Sequence, residues 1–111
     1  MECIFTEFKH CDLVEIKGRI DSYSAPKIEE TLNAFIADKH FHFVIDLNQV
    51  SFISSSGILT FVNIQKRFLN QNRGKIVFSC VPERILNSFK LAGFDQLFEF
   101  YEDSVSAVGQ F

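Results

Sequence analysis

Apolar and charged residues alternate along the first part of the chain. From Cys11 to Ile20, CDLVEIKGRI, an apolar residue or glycine stands at every second position from Val14 onward, with charged residues between. A period of two is typical of a strand with one buried face. The segment Ile4 to Phe8 precedes it across a polar turn around Lys9 and His10. The pattern predicts an antiparallel hairpin at the start of the chain.

From Ser24 onward the period becomes that of a helix. Apolar residues recur on one helical face: Ile28, Leu32, Phe35 and Ile36. Pro26 stands in the first turn, where proline is tolerated, and the Ser24 hydroxyl is suited to accept from a free N–H group at the helix start. We therefore predict an amphipathic helix capped by Ser24.

Strands and helices continue to alternate in the second half of the chain. Phe41 to Leu47 is nearly all apolar, as in a strand covered on both faces. Ile58 to Leu69 is helical in pattern, with a wide apolar arc. The elements that follow are predicted to be a strand, a helix bounded by proline and glycine, a short strand and a last helix: Lys75 to Cys80, Pro82 to Gly93, Leu97 to Tyr101, and from Asp103 onward.

This order of elements predicts the fold class. Strands that alternate with helices imply βαβ units with parallel strands and right-handed crossovers. The opening hairpin adds an antiparallel pair, so the sheet is mixed. The chain has 111 residues, of which 47% are hydrophobic, and this length suits one globular domain. We predict an α/β fold, a single domain over residues 1–111 with a mixed central β-sheet and about four helices.

Charge and cysteine content argue against several classes of protein. The net charge is -3 at pH 7 and the 11 basic residues are scattered, unlike the basic face of a nucleic-acid binder. Cys3, Cys11 and Cys80 show no C-x-x-C spacing, which argues against a disulfide framework and against a zinc site. No apolar run is long enough for a signal peptide or a membrane span. We expect a cytoplasmic protein with reduced thiols, no cofactor or metal, no direct nucleic-acid binding and no membrane insertion.

Three consecutive serines interrupt an apolar run at Val50 to Leu59, VSFISSSGIL. The run follows the third predicted strand, at the carboxyl ends of the strands, where α/β sheets hold their sites. The simplest prediction is that Ser55 or Ser56 caps the next helix. A nucleophilic serine needs an activating base and a strained turn such as G-x-S-x-G, and the sequence shows neither. The Walker pattern of a phosphate-binding loop is also absent.

Asp46 is a candidate phosphoacceptor of another kind, because it ends the third predicted strand of an α/β chain, as in a receiver domain. Such a domain also needs acidic residues after its first strand to hold Mg²⁺, and the sequence has only the scattered Glu7 and Asp12 there. We expect Asp46 to be a strand-end residue that hydrogen-bonds to the loop.

Two segments resemble the signatures of STAS domains. VIDLNQVSFISSSGIL, Val44 to Leu59, is similar to the family's apolar strand ending in D-L, followed by x-x-V-x-[FY]-[IM]-[DS]-S-[ST]-G and a helix. KGRIDSYSAPKIEETL, Lys17 to Leu32, resembles an earlier block with a strand ending in G-x-[IL]-D, a short loop and the first helix. The spacing between the blocks also agrees. A free-standing STAS domain most resembles the bacterial anti-sigma factor antagonists.

The resemblance implies a regulator that is not an enzyme and is switched by phosphorylation. The phosphoacceptor is the residue before the motif glycine, here Ser56. The implied partner surface comprises the neighbouring positions and the loop after the second strand: Asp21, Ser22, Ser54, Ser55, Gly57, Ile58 and Leu59. In this family the unmodified domain binds an anti-sigma factor that is also a serine kinase, and the sigma factor is freed. Phosphorylation by that kinase reverses the binding, and a serine phosphatase resets it.

Two residues depart from the pattern of many switch members, which have aspartate at the position of Ser54 and a small residue or glycine at that of Leu59. Without the carboxylate, three adjacent hydroxyls compete for modification. The departure also leaves open a second hypothesis, a STAS subunit of a larger signalling or lipid-transport assembly without a phosphorylation cycle. A receiver phosphorylated on Asp46 is a third and more distant hypothesis.

Overall fold

The strands and helices follow the predicted order. The computed structural model describes residues 1–111 and confirms a single α/β domain. Along the chain the elements are β1 (Glu2–Glu7), β2 (Asp12–Ile20), α1 (Ala25–Ala37), β3 (His42–Ile53), α2 (Ser55–Gln71), β4 (Lys75–Ser79), α3 (Glu83–Ala92), a 3-10 turn (Asp95–Leu97), β5 (Glu99–Tyr101) and α4 (Ser104–Val108). None of the helices combines the length and apolar character that crossing a membrane requires.

The five strands form one sheet in the order β1-β2-β3-β4-β5. β1 pairs with β2 in antiparallel fashion, and all the later pairs are parallel, which confirms the opening hairpin and the mixed sheet. From β2 onward each strand is added on the same side of the one before it. Right-handed crossovers therefore place α1, α2 and α3 on one face of the sheet.

The larger core lies between the sheet and these three helices. Phe78 of β4 is at its centre, with the ring centroids of Phe61, Phe89 and Phe98 between 4.8 and 5.3 Å from its own. A smaller core on the other face is closed by Ala107 of α4. Aromatic packing thus ties α2 and α3 to β4.

β3 is longer than the hydrophobic pattern indicated. The predicted strand ended at Leu47, whereas the strand continues to Ile53. β4 pairs with β3 only as far as Asp46, and beyond that residue β3 pairs with β2 alone, up to Ile20 opposite Ile53. Because this extension has a neighbour on one side only, it tolerates exposed polar residues that look like a loop. Asp46 consequently lies within β3 and not at its end.

Candidate functional site

Ser54 connects the end of β3 to the start of α2. Its N–H donates to the carbonyl oxygen of Ile20 at 2.8 Å, which ties the connection to the end of β2. Its hydroxyl oxygen accepts from the N–H of Gly57 at 3.1 Å, and its backbone is extended. Ser54 is therefore the N-cap of α2, and the prediction that Ser55 or Ser56 caps this helix was wrong. The cap lies earlier because α2 begins at Ser55, directly after the unexpectedly long β3.

The hydroxyl of Ser56 lies at the surface in the first turn of α2. Ser55 and Ser56 are both exposed, whereas Ser54 is half-buried. The hydroxyl oxygens of Ser54 and Ser56 are 2.9 Å apart and share a hydrogen bond. The first turn of α2 contains no acidic side chain. The positive end of the helix dipole is therefore not compensated by a carboxylate at this point.

Gly57 allows α2 to approach the sheet closely. A Cβ atom built on Gly57 would lie 2.6 Å from Cγ2 of Ile20 and 3.0 Å from Cγ1 of Ile53. Both contacts are with buried side chains, so any larger residue would push the start of the helix outward. Gly57 is helical and its φ is not positive. Its role is close packing against the ends of β2 and β3, not a tight turn into the helix.

The loop between β2 and α1 is closed by Asp21 and Ser24. One carboxylate oxygen of Asp21 accepts from the N–H groups of Tyr23 and Ser24, each at 3.0 Å. These hydrogen bonds lower the pKa of the Asp21 carboxyl, and the bond from the Ser24 N–H has the largest effect. The Ser24 hydroxyl accepts from the Asp21 N–H at 2.8 Å and donates to the Arg19 carbonyl at 3.0 Å. Ser24 is the N-cap residue of α1, as predicted, but its hydroxyl makes no capping hydrogen bond with the helix because the side chain turns back into the loop.

A groove of about 360 Å³ separates α1 from α2 beside the serines. It brings the predicted phosphoacceptor Ser56 together with two residues of the predicted partner surface, Ser22 and Leu59. Asn33 on the α1 side of the groove accepts a hydrogen bond from the guanidinium of Arg67 in α2 at 2.6 Å, which links the two helices. Ser56 therefore lies on the wall of a two-helix groove, with an exposed apolar side chain one turn further along.

Sequence reasoning missed the rest of the groove. Its other walls come from one face of each helix, at spacings of three and four residues: Pro26, Glu29, Glu30, Asn33, Thr60 and Asn63. Those spacings mark residues on one side of a helix. A search for the polar face of α1 that lies next to α2 would have found them, but it requires knowing that the two helices are neighbours.

The predicted apolar part of the surface is smaller than expected. Ile58 is 3% exposed and lies in the core, whereas Leu59 is 44% exposed. Gly57 is also buried, against the sheet. The wide apolar arc of α2 is mostly core packing, because the sheet and its neighbouring helices cover it. Of the predicted apolar pair, only Leu59 is available to a partner.

A receiver domain would need acidic side chains beside Asp46, and neither Glu7 nor Asp12 lies there. One carboxylate oxygen of Asp46 accepts from the N–H of Asn48 at 2.8 Å, and the other from the Ser104 hydroxyl at 3.0 Å. Glu7 and Asp12 lie next to His40, near the amino ends of β2 and β3, and in the ladder Asp46 is paired with Glu15 and not with Asp12. The side chain of Asp46 instead holds the start of α4 against β3.

Replacing Ser54 with alanine is expected to lower the free energy of unfolding by about 1 kcal/mol, because the N–H of Gly57 loses its cap. Urea titration followed by circular dichroism measures this change. Ser55→Ala is the matched control, since Ser55 is exposed and its hydroxyl makes no hydrogen bond with the protein. Equal losses in the two variants would contradict the assignment of Ser54 as the cap.

Comparison with known proteins agrees with this architecture. The STAS domain family model matches residues 5–107. An anti-sigma-B factor antagonist of Listeria monocytogenes is 31% identical over 90 residues, which cover 81% of this chain and 77% of the relative. An anti-sigma-B factor antagonist of Staphylococcus aureus is 32% identical over 89 residues, covering 80% of this chain and 82% of the relative.

The fold also matches that of a solved structure. The crystal structure of an anti-sigma factor antagonist from Mycobacterium paratuberculosis superposes with a TM-score of 0.86 at 22% identity, covering 98% of this chain and 92% of that one. At this identity the superposition supports the fold, while the family model spans nearly the whole chain. The chain belongs to the STAS domain family.

Proposed function

We propose that this chain is an anti-sigma factor antagonist, a regulatory binding protein of the cytoplasm. In its unmodified form it binds an anti-sigma factor that is also a serine kinase, and a sigma factor is released. Phosphorylation of Ser56 by that kinase ends the binding, and a serine phosphatase restores it. The observation that carries the proposal is the exposed hydroxyl of Ser56 on the wall of the groove between α1 and α2. The names of the Listeria and Staphylococcus relatives support it.

The three serines differ in their availability to a kinase. The hydroxyl of Ser54 accepts from the helix backbone and is half-buried, so its modification would remove the cap of α2. Ser55 is exposed but does not line the groove. Ser56 is exposed and lines the groove beside Leu59. Among three adjacent hydroxyls, Ser56 combines access with a place on the partner surface.

The fold is expected to tolerate a phosphate on Ser56. Phosphoserine adds about -1.5 to -2 charges at pH 7. Anions are favoured at a helix N-terminus by the dipole and by free N–H groups, and the first turn of α2 carries no competing carboxylate. A bound partner is affected differently, because a hydrated dianion in the contact must be desolvated and accommodated. The modification therefore acts on binding and not on folding.

Incubation with the candidate kinase and ATP is expected to add one phosphate to the wild-type chain, to Ser54→Ala and to Ser55→Ala, but none to Ser56→Ala. Intact mass measurement and fragmentation of the phosphopeptide locate the group. Circular dichroism of Ser56→Ala provides the control that the fold is retained. Modification that persists in Ser56→Ala would overturn the assignment, and acid-labile phosphate on Asp46 would support a receiver. Partner binding without phosphorylation of any serine would favour the STAS subunit of a larger assembly.

A further inference from the structure

A second group of functional side chains lies at the opposite end of the sheet from the serines. The amino ends of β2 and β3, the β1–β2 turn and the connection from α1 to β3 surround a cavity of about 660 Å³. Glu7, Asp12 and His40 each offer one ligand atom there, and these atoms lie within 4.8 Å of one another. The three residues come from separate segments, so the cluster depends on the fold.

The imidazole of His40 is held in one orientation. Its Nδ1 is 2.6 Å from a carboxylate oxygen of Asp12, whose side chain is only 4% exposed. The ring also packs edge-on against Phe35, with centroids 5.3 Å apart. A buried carboxylate at Nδ1 favours the tautomer that keeps its proton there, so that the lone pair of the neutral ring lies on Nε2. A carboxylate that orients a histidine in this way is the usual companion of a metal-binding imidazole.

The other nitrogen of His40 faces two more carboxylates. Nε2 lies 3.6 Å from an oxygen of Glu7 and 3.7 Å from an oxygen of Asp38. These separations are too long for hydrogen bonds. Metal–ligand distances of about 2.1 Å in a tetrahedral zinc site put neighbouring ligand atoms about 3.4 Å apart, close to the observed spacing. Nε2 therefore lies at the spacing of neighbouring ligands from one oxygen of Glu7 and from one oxygen of Asp38.

The backbone around His40 also suits a cation. Asp38 follows the last residue of α1, where the negative end of the helix dipole favours positive charge. Lys39 has a φ of 67°, in the left-handed region, and separates Asp38 from His40. The side chains of Asp38 and His40 reach the same side of the turn, because a carboxylate oxygen of Asp38 lies 3.7 Å from Nε2 of His40.

We propose that this cluster is a binding site for a divalent transition-metal ion of the Zn²⁺ class. His40 supplies Nε2, Glu7 and Asp38 supply carboxylate oxygens, and Asp12 positions the imidazole without contacting the ion. Water completes the coordination. An imidazole ligand favours Zn²⁺ over Mg²⁺ and Ca²⁺, which prefer oxygen ligands alone. The site is separate from the serine groove and does not depend on the proposed function.

Zinc binding is expected to show one saturable site per chain by isothermal titration calorimetry with ZnCl₂, in the presence of excess Mg²⁺. Glu7→Gln, Asp38→Asn and His40→Gln are each expected to weaken binding at least about tenfold, and Asp12→Asn about 10- to 100-fold. Glu7 and Asp38 have side chains 71% and 88% exposed, so their variants retain the fold. His42→Gln is the matched control, because His42 lines the same cavity but packs against Phe111, with ring centroids 5.2 Å apart.

Several results would overturn this assignment. One is the absence of saturable binding up to about 1 mM Zn²⁺. Another is an affinity that stays at the wild-type value in Glu7→Gln and Asp38→Asn or falls in His42→Gln. The Co²⁺-loaded chain provides an independent readout, since ligation by imidazole and carboxylates gives no thiolate charge-transfer band. Such a band would assign the ion to a cysteine, for example Cys11 on the wall of the cavity.

Discussion

Replacing Phe78 with alanine is expected to lower the free energy of unfolding by about 3–5 kcal/mol, as for other large aromatic residues truncated in a core. The Phe78 side chain is fully buried, and the rings of Phe61, Phe89, Phe98 and Phe100 all lie within 5.5 Å of its own between centroids. Three elements, α2, α3 and β5, would lose contacts at once, and the truncation would leave a cavity in the core. Urea titration measures the change.

Phe8→Ala is the matched control for this prediction. Phe8 is 42% exposed beyond the end of β1, so the same truncation removes little buried surface there. We expect a much smaller loss of stability than for Phe78→Ala, because exposed positions contribute less. Similar losses in the two variants would mean that the aromatic cluster around Phe78 does not hold the core together.

Phosphorylation of Ser56 is expected to weaken binding of the anti-sigma factor about a thousandfold, which corresponds to about 4 kcal/mol. The expected cause is the cost of placing a hydrated dianion in the contact between the partner and the groove. Calorimetric titration of the phosphorylated and unmodified chains with the same partner measures the difference. Urea titration of both forms checks that the phosphate leaves the fold intact.

The variant Ser56→Ala distinguishes the effect of losing the hydroxyl from the effect of adding a phosphate. It removes only the hydrogen bond to Ser54, so we expect affinity for the partner close to that of the unmodified chain. Phosphorylated Ser55→Ala should lose affinity as the phosphorylated wild type does. The switch is contradicted if phosphorylated and unmodified chains bind equally well, or if Ser56→Ala binds as weakly as the phosphorylated chain.

Local patterns predicted most of the secondary structure. The alternation in β2 and the proline and glycine that bound α3 correspond to elements in the structure, with Gly93 in the left-handed conformation after the helix. The end of β3 was predicted too early, because the polar residues Asn48 and Gln49 resemble a loop. They are accommodated because β2 extends further than β4 along this strand. The lengths of neighbouring strands cannot be read from one segment.

The position of the cap shows how such an error propagates. A strand that ended at Leu47 left several residues before the helix, so either of the later serines could have capped it. With β3 ending at Ile53, Ser54 is the cap that remains. The choice among chemically identical hydroxyls was therefore decided by strand pairing with β2 and not by side-chain preference.

The cluster around His40 could not be predicted from spacing. His40 and Asp12 are 28 residues apart in the chain. They meet because β2 and β3 are parallel neighbours, with Asp12 paired to Phe43. Rules for metal sites in a sequence rely on ligands close together on one segment, such as C-x-x-C. Cysteine spacing alone led to the expectation that the chain holds no metal.

The close contact between Gly57 and Ile20 also affects the conformational entropy that is lost when a partner binds. Together with the hydrogen bond from Ser54 to Ile20, it fixes the serine segment to the ends of two strands. A surface already rigid before the encounter loses little conformational entropy on association. A rigid surface also cannot move aside to accommodate an added group. Preorganisation that favours the unmodified complex is therefore also expected to make that complex sensitive to a phosphate on Ser56.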